Sequence, residues 1–117
     1  MTKQNTEDQN MALLAVKEEI ILSGLLILGG QAHGAPLRNK VIELSGKDIV
    51  YGTLYNMLEV LIRKGYVVSE KTGPLPVQGG RSKSLYHITP KGRKVLSETL
   101  RKHEEIIKSV ADTELEI

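Results

Sequence analysis

The hydropathy period of this chain changes after Gly65, and that change limits the fold more than any other feature. Upstream of it, apolar residues recur at helical spacing in three stretches. Asn10–Leu28 is dense in Leu, Ile, Val and Ala without a proline, so it predicts a long first helix packed on more than one side, stopped by Gly29 and Gly30. Pro36 suits the first turn of a shorter second helix, where Leu37, Val41 and Leu44 recur at i, i+4 and i+7 before Ser45 and Gly46 end it. A third helix begins near Val50 and runs to Lys64, with Gly65 as its stop. On its wheel Tyr51, Leu54, Leu58 and Leu61 form one apolar stripe flanked by Met57 and Ile62. Gly52, Asn56, Glu59 and Arg63 fall opposite, with Thr53 near that edge.

Downstream, Tyr66–Lys71 and Ser84–Ile88 are short β-branched or alternating segments. Between them lies a loop containing Gly73, Pro74, Pro76, Gly79 and Gly80, so the pair reads as a hairpin with an extended tip. Thr89 and Pro90 then supply an N-cap and a proline at the first helical position, opening a fourth helix. In it Leu96, Leu100, His103, Ile107 and Val110 keep a heptad-like 4, 3, 4, 3 spacing, which marks a seam for a second copy or for the chain's own domain. The expected class is mainly α with a small β-hairpin. Residues 1–9 form a loose tail, 10–89 one domain, 90–112 the last helix and 113–117 an acidic tail.

Three helices followed by a two-stranded hairpin is the layout of a winged helix-turn-helix, and the charge distribution agrees with it. The 117-residue chain has a net charge of only +2, yet residues 38–94 alone carry eleven Lys or Arg against four acids, while both flanks are acidic. A basic middle between acidic ends suits a polyanion, although clustered cations also serve merely as a solvated surface. In this layout the third helix enters the major groove of double-stranded DNA by its N-terminal part. There Gly52 permits close backbone approach, Thr53 bonds phosphate or base, and Asn56 matches an adenine edge. Tyr51 and Tyr55 hydroxyls are placed for phosphate, with a core role for Tyr51 equally open. Arg81 and Lys83 at the wing reach phosphate or minor groove, or simply keep the hairpin soluble. Arg38 and Lys40 are weaker candidates for backbone contact.

Ile49–Val68, reading IVYGTLYNMLEVLIRKGYVV, and Gly80–Gly92, reading GRSKSLYHITPKG, resemble the PadR-like regulators, the phenolic-acid repressor family. Gly24–Leu28 and the pair His33 and Gly34 resemble that family's first-helix exit and His-Gly element. The resemblance covers about residues 18–100. It implies a homodimeric repressor that releases its target promoter when a small molecule binds, and a dimer, by spacing two recognition helices about one DNA turn apart, matches a palindromic operator. It also implies a last helix packed on the partner's first helix, so that Leu96, Leu100, His103, Ile107 and Val110 become a dimer interface. A ligand cavity near Leu13, Leu14 and Leu100 follows from the same resemblance. Two departures stand out: Ala35 replaces the aromatic residue usual after His-Gly, and the absence of Trp and Phe removes any basis for drug stacking between tryptophans.

Other classes find little support. There is no cysteine, so disulfides and thiolate metal sites are excluded, which fits a cytoplasmic location. Ile20–Leu28 falls far below the roughly 20 apolar residues of a membrane span. The polar start lacks the marks of a secretory signal. His33, His87 and His103 stand apart, and no nucleophile is paired with a base, so no metal, cofactor or catalysis is expected. The rival reading is a winged-helix module that binds protein through the apolar wing tip Leu75–Val77.

Overall fold

The computed structural model describes residues 13–72 and 83–113. Helix α1 spans Val16–Ile27, strand β1 Gln31–His33, helix α2 Gly34–Ser45 and helix α3 Tyr51–Arg63. Strands β2 (Val67–Thr72) and β3 (Lys83–Ile88) form the wing hairpin, and α4 (Pro90–Ala111) closes the order. The fold is mainly α, with one three-stranded antiparallel sheet in the order β1-β3-β2.

The first helix is shorter than its composition predicts. Residues 13–15 are not helical, and Ala15 caps the helix in an extended conformation at φ −66° and ψ 155°. The start is fixed by side chains. Glu18 Oε1 accepts from the Ala15 N–H at 3.1 Å, and the buried Thr99 hydroxyl accepts from the Leu14 N–H at 3.2 Å, so α4 holds the chain out of helix just before α1. Of the expected extension, 10–12 lie outside the described residues.

The second helix begins two residues before Pro36, which therefore sits at its third position. That position needs no intrahelical donor, so the missing N–H costs nothing. Strand β1 is an addition to the expected hairpin. It pairs Gln31 with His87, Ala32 with Tyr86 and His33 with Leu85. His33 Nδ1 donates to the Ser84 carbonyl at 2.9 Å, which anchors the start of α2 on the wing.

Helix α3 ends in a Schellman arrangement. Gly65 takes φ +85°, its N–H bonds the Ile62 carbonyl, and the Tyr66 N–H bonds the Leu61 carbonyl at 3.0 Å. The Thr89 hydroxyl accepts from the Gly92 N–H at 3.0 Å and donates to the Gly65 carbonyl at 2.7 Å, so one side chain both caps α4 and ties it to the end of α3. Next to it Gly92 packs its Cα against the Tyr66 carbonyl, where a Cβ has no room.

Leu22 and Leu25 of α1, Leu37 of α2, and Leu54, Leu58 and Leu61 of α3 are fully or almost fully buried. They share one aliphatic core with Val67, Ile88, Val95 and Leu96. The stripe expected on α3 is thus its core face, except at Tyr51, which is 41% exposed. Only the first part of α4 joins the core. Beyond Thr99, Leu100, Ile106 and Ile107 are exposed.

Candidate nucleic-acid interface

The turn between α2 and α3 is braced from within. Arg38 Nε donates to the Ile49 carbonyl at 2.6 Å, and its guanidinium lies over the Tyr51 ring, 4.9 Å from the centroid. The Tyr51 ring in turn stacks on Tyr55 at 5.7 Å, and Tyr55 on Tyr86 of β3 at 6.3 Å, both pairs inclined by 28°. This row of one guanidinium and three phenols links α2, α3 and the wing. Gly34 completes it, because the Tyr55 hydroxyl occupies the space that a Cβ there would need.

These contacts settle where Tyr51 points: it lies outside the core, at one end of an aromatic row. Gly52, Thr53 and Asn56, on the adjoining surface of α3, are all exposed, and nothing lies within 4 Å of where a Gly52 Cβ would stand. That leaves the first turns of α3 open to backbone approach. Glu59 and Arg63 are exposed one and two turns further on, 3.8 Å apart, so the acid's charge is balanced locally. Lys83 is exposed at the start of β3, opposite Thr72 of β2.

Not every expected contact residue is equally available. Arg38 is part-buried in its brace, and Lys40 is paired with Glu43 at 2.9 Å while its stem packs over Gly24, so both carry a structural duty. Arg81 and the wing tip Leu75–Val77 lie outside the described residues. Tyr86 was missed by periodicity, since its neighbours in β3 alternate only weakly; its place in the quoted Gly80–Gly92 run was the available signal. Burial pushes the Tyr86 phenol above the usual tyrosine range; Tyr55 and Glu59 add to this, and a hydrogen bond with Ser84 opposes it.

The last helix separates into two faces. Leu96 is 1% exposed and belongs to this chain's own core, reaching the groove along α4 only at its floor. The heptad spacing could not show that the Val95, Leu96 and Thr99 face is buried within the chain, with Thr99 bonded to Leu14. What stays open is a groove of about 740 Å³ along α4 and the end of α1, lined in part by Leu26, Leu100, His103 and Ile107. Val110 is half-buried near the C-terminal end of α4. His103 Nδ1 stands 3.5 Å from Glu19 Oε2, across the α1–α4 contact. Of the residues expected to line a ligand cavity, Leu14 is buried in the core and Leu13 is exposed, and neither lines the groove with Leu100.

Among the described residues no cluster of three His, Asp or Glu side chains is placed to hold a metal, and no helix is long and apolar enough to cross a membrane. Transcriptional regulator Rv3488 of Mycobacterium tuberculosis is 36% identical over 80 residues, which span 68% of this chain and 70% of that protein. The fold superposes on F93 from STIV, a winged-helix DNA-binding protein, with a TM-score of 0.64 at 24% identity, covering 82% of this chain and 96% of that one. It also superposes on Bordetella bronchiseptica BpsR, whose DNA binding is regulated by 6-hydroxynicotinic acid. There the TM-score is 0.64 at 19% identity, over 87% of this chain and 70% of that one. Residues 24–98, from within α1 through the wing and into α4, match the model of the PadR-like family, and the chain belongs to this family of transcriptional regulators.

Proposed function

We propose that the protein is a ligand-responsive repressor that binds a palindromic operator as a homodimer. The observation that carries this reading is the open row Gly52, Thr53 and Asn56 on α3, held beside the wing by the Tyr51, Tyr55 and Tyr86 stack. Asn56 reads an adenine edge in the major groove, Thr53 and the Tyr51 and Tyr55 hydroxyls hold phosphate or base, and Lys83 and Arg81 bind the backbone beside it. Arg38 acts by fixing the turn before α3, and Lys40 adds charge behind it.

The exposed residues Leu100 and Ile107, with the half-buried His103 and Val110, supply the dimer contact, since a helix face left outside the chain's own core gains burial from a second copy. Dimerisation sets two recognition helices about one DNA turn, roughly 34 Å, apart. Regulation of BpsR by a small molecule supports an effector for this chain also. The family's regulators are not enzymes, and the protein acts in the cytoplasm, where its operator lies.

Footprinting on the DNA upstream of its own gene tests the reading. Protection of two half-sites about one turn apart is expected. Asn56→Ala lowers operator affinity by about 1–3 kcal/mol and spares non-specific binding, whereas Lys83→Ala weakens both alike and reduces the salt slope by about one. If Asn56→Ala retains the parent's operator affinity, the groove assignment is wrong.

A further inference from the structure

A second cavity, of about 590 Å³, opens between α1 and the helix-turn-helix. Val16 and Ile20 of α1, Ile49 and Val50 of the turn, and Thr53 and Met57 of α3 form its walls. The volume suits a small molecule. No aromatic ring lines it, so nothing in it stacks on a flat ring, while branched aliphatic chains and a thioether surround an aliphatic body. Val16 and Val50 are 67% and 64% exposed, so its apolar wall is wetted as it stands and gains from being covered.

The charge at the cavity selects the sign of an occupant. Lys17 and Lys47 both line it against a single acid, Asp48, and neither lysine has an ion-pair partner among the described residues. The cavity shares no lining residue with the groove along α4, so a copy docked in that groove leaves it open. One wall residue, Thr53, belongs also to the exposed row of α3, and Met57 sits one turn behind it. An occupant therefore touches the part of α3 that reads DNA.

We propose that this cavity is the effector site and that its ligand is an aliphatic monocarboxylate of the medium-chain fatty-acid class. The carboxylate lies at Lys17 and Lys47, and the chain runs along Val16, Ile20, Ile49 and Met57. The regulatory half of this inference rests on the DNA-binding reading above; the binding half does not. Bound ligand alters operator affinity only as far as it favours one placement of α3 against α1 over the other.

The test is a titration of the full-length protein with decanoate, followed by methyl NMR. Saturable shifts at Ile20, Ile49 and Met57, one ligand per chain, are expected, with affinity reduced at least tenfold in Lys17→Glu, Lys47→Glu. Decylammonium, of equal length and opposite charge, binds at least tenfold more weakly than decanoate to the parent. Absence of saturable shifts, shifts confined to Leu100 and Ile107, or equal binding of the ammonium overturns the site. Shifts of the same methyls on dilution of the ligand-free protein place a second copy in the cavity and overturn it too. Saturation with decanoate lowers retention of operator DNA by the parent; unchanged retention overturns the effector role. A parent that binds no upstream DNA at all refutes the regulator reading instead, and the methyl titration still decides the site.

Discussion

Tyr55 of α3 stacks on Tyr86 of the wing, ring centroids 6.3 Å apart, so the two elements proposed to face DNA are joined side chain to side chain. Such a pair contributes about 0.5–1.5 kcal/mol beyond the area it buries. A double-mutant cycle with Tyr55→Leu and Tyr86→Leu is expected to return a coupling in that range in urea denaturation. Because the stack joins α3 to the wing, Tyr86→Leu is also expected to weaken operator binding, although the Tyr86 side chain is itself partly buried against the core. A coupling indistinguishable from zero would show that the rings lie near one another without holding one another.

The phenol of Tyr86 gives the stack a pH dependence. Its folded-state pKa is raised above the ordinary tyrosine value of 10.0, chiefly by burial. The folded protein therefore keeps a proton that the unfolded chain has released, and the sign follows from linkage: the contribution is fully present below pH 10.0 and is lost as pH rises through the folded value. Thermal unfolding followed from neutral pH upward is expected to show parent stability falling more steeply above that point than the stability of Tyr86→Phe. Parallel curves for the two proteins contradict the assignment.

Two glycines separate packing from recognition. At Gly92 a Cβ collides with the backbone carbonyl of Tyr66, which no rotamer change relieves, so Gly92→Ala shifts the start of α4 off the end of α3. The expected cost is about 1–3 kcal/mol, with a fall in Tm of about 5–15 °C. Gly52 is the opposite case: its surroundings are empty, and alanine is the better helix former. Gly52→Ala is expected to raise stability by about 0.5 kcal/mol while lowering operator affinity, because the added methyl stands between α3 and the groove. Calorimetry alongside a DNA titration on both variants reads the two effects apart.

What could be read from the chain divides along the range of the contacts. Leu54, Leu58 and Leu61 declared their face because one partner surface takes up all three, and the spacing within α3 records it. The seam on α4 is ambiguous because two surfaces share one helix: the chain's own core takes Leu96 and Thr99, and the neighbouring stripe of Leu100, His103 and Ile107 is left outside it. A periodicity counts apolar positions and not partners. Strand β1 has three residues between two glycines, too few to alternate, and exists because β3 offers it an edge. The start of α1 was lost for a related reason, since the Thr99 hydroxyl that ends the helical run at Leu14 stands 85 residues away in sequence. The basic candidates of α2 were legible as cations, but neither the Arg38 brace nor the Lys40 pair with Glu43 is written in composition.

The division of α4 makes the proposed dimer testable without disturbing the fold. Leu100 and Ile107 are exposed and add little to the chain's own core, whereas Leu96 is enclosed by it. Leu96→Ala is therefore expected to cost about 2–5 kcal/mol at any protein concentration. Leu100→Asp with Ile107→Asp instead leaves the circular dichroism spectrum and the Tm of the dilute protein near the parent's, and sedimentation at micromolar concentration moves from dimer to monomer. Operator affinity falls with it, by about 10²-fold or more, because each subunit then grips one half-site alone and the second contact is no longer intramolecular. Binding to a single half-site stays within a few-fold of the parent, which distinguishes loss of pairing from damage to α3. A double variant that sediments as a dimer would move the interface off this face of α4.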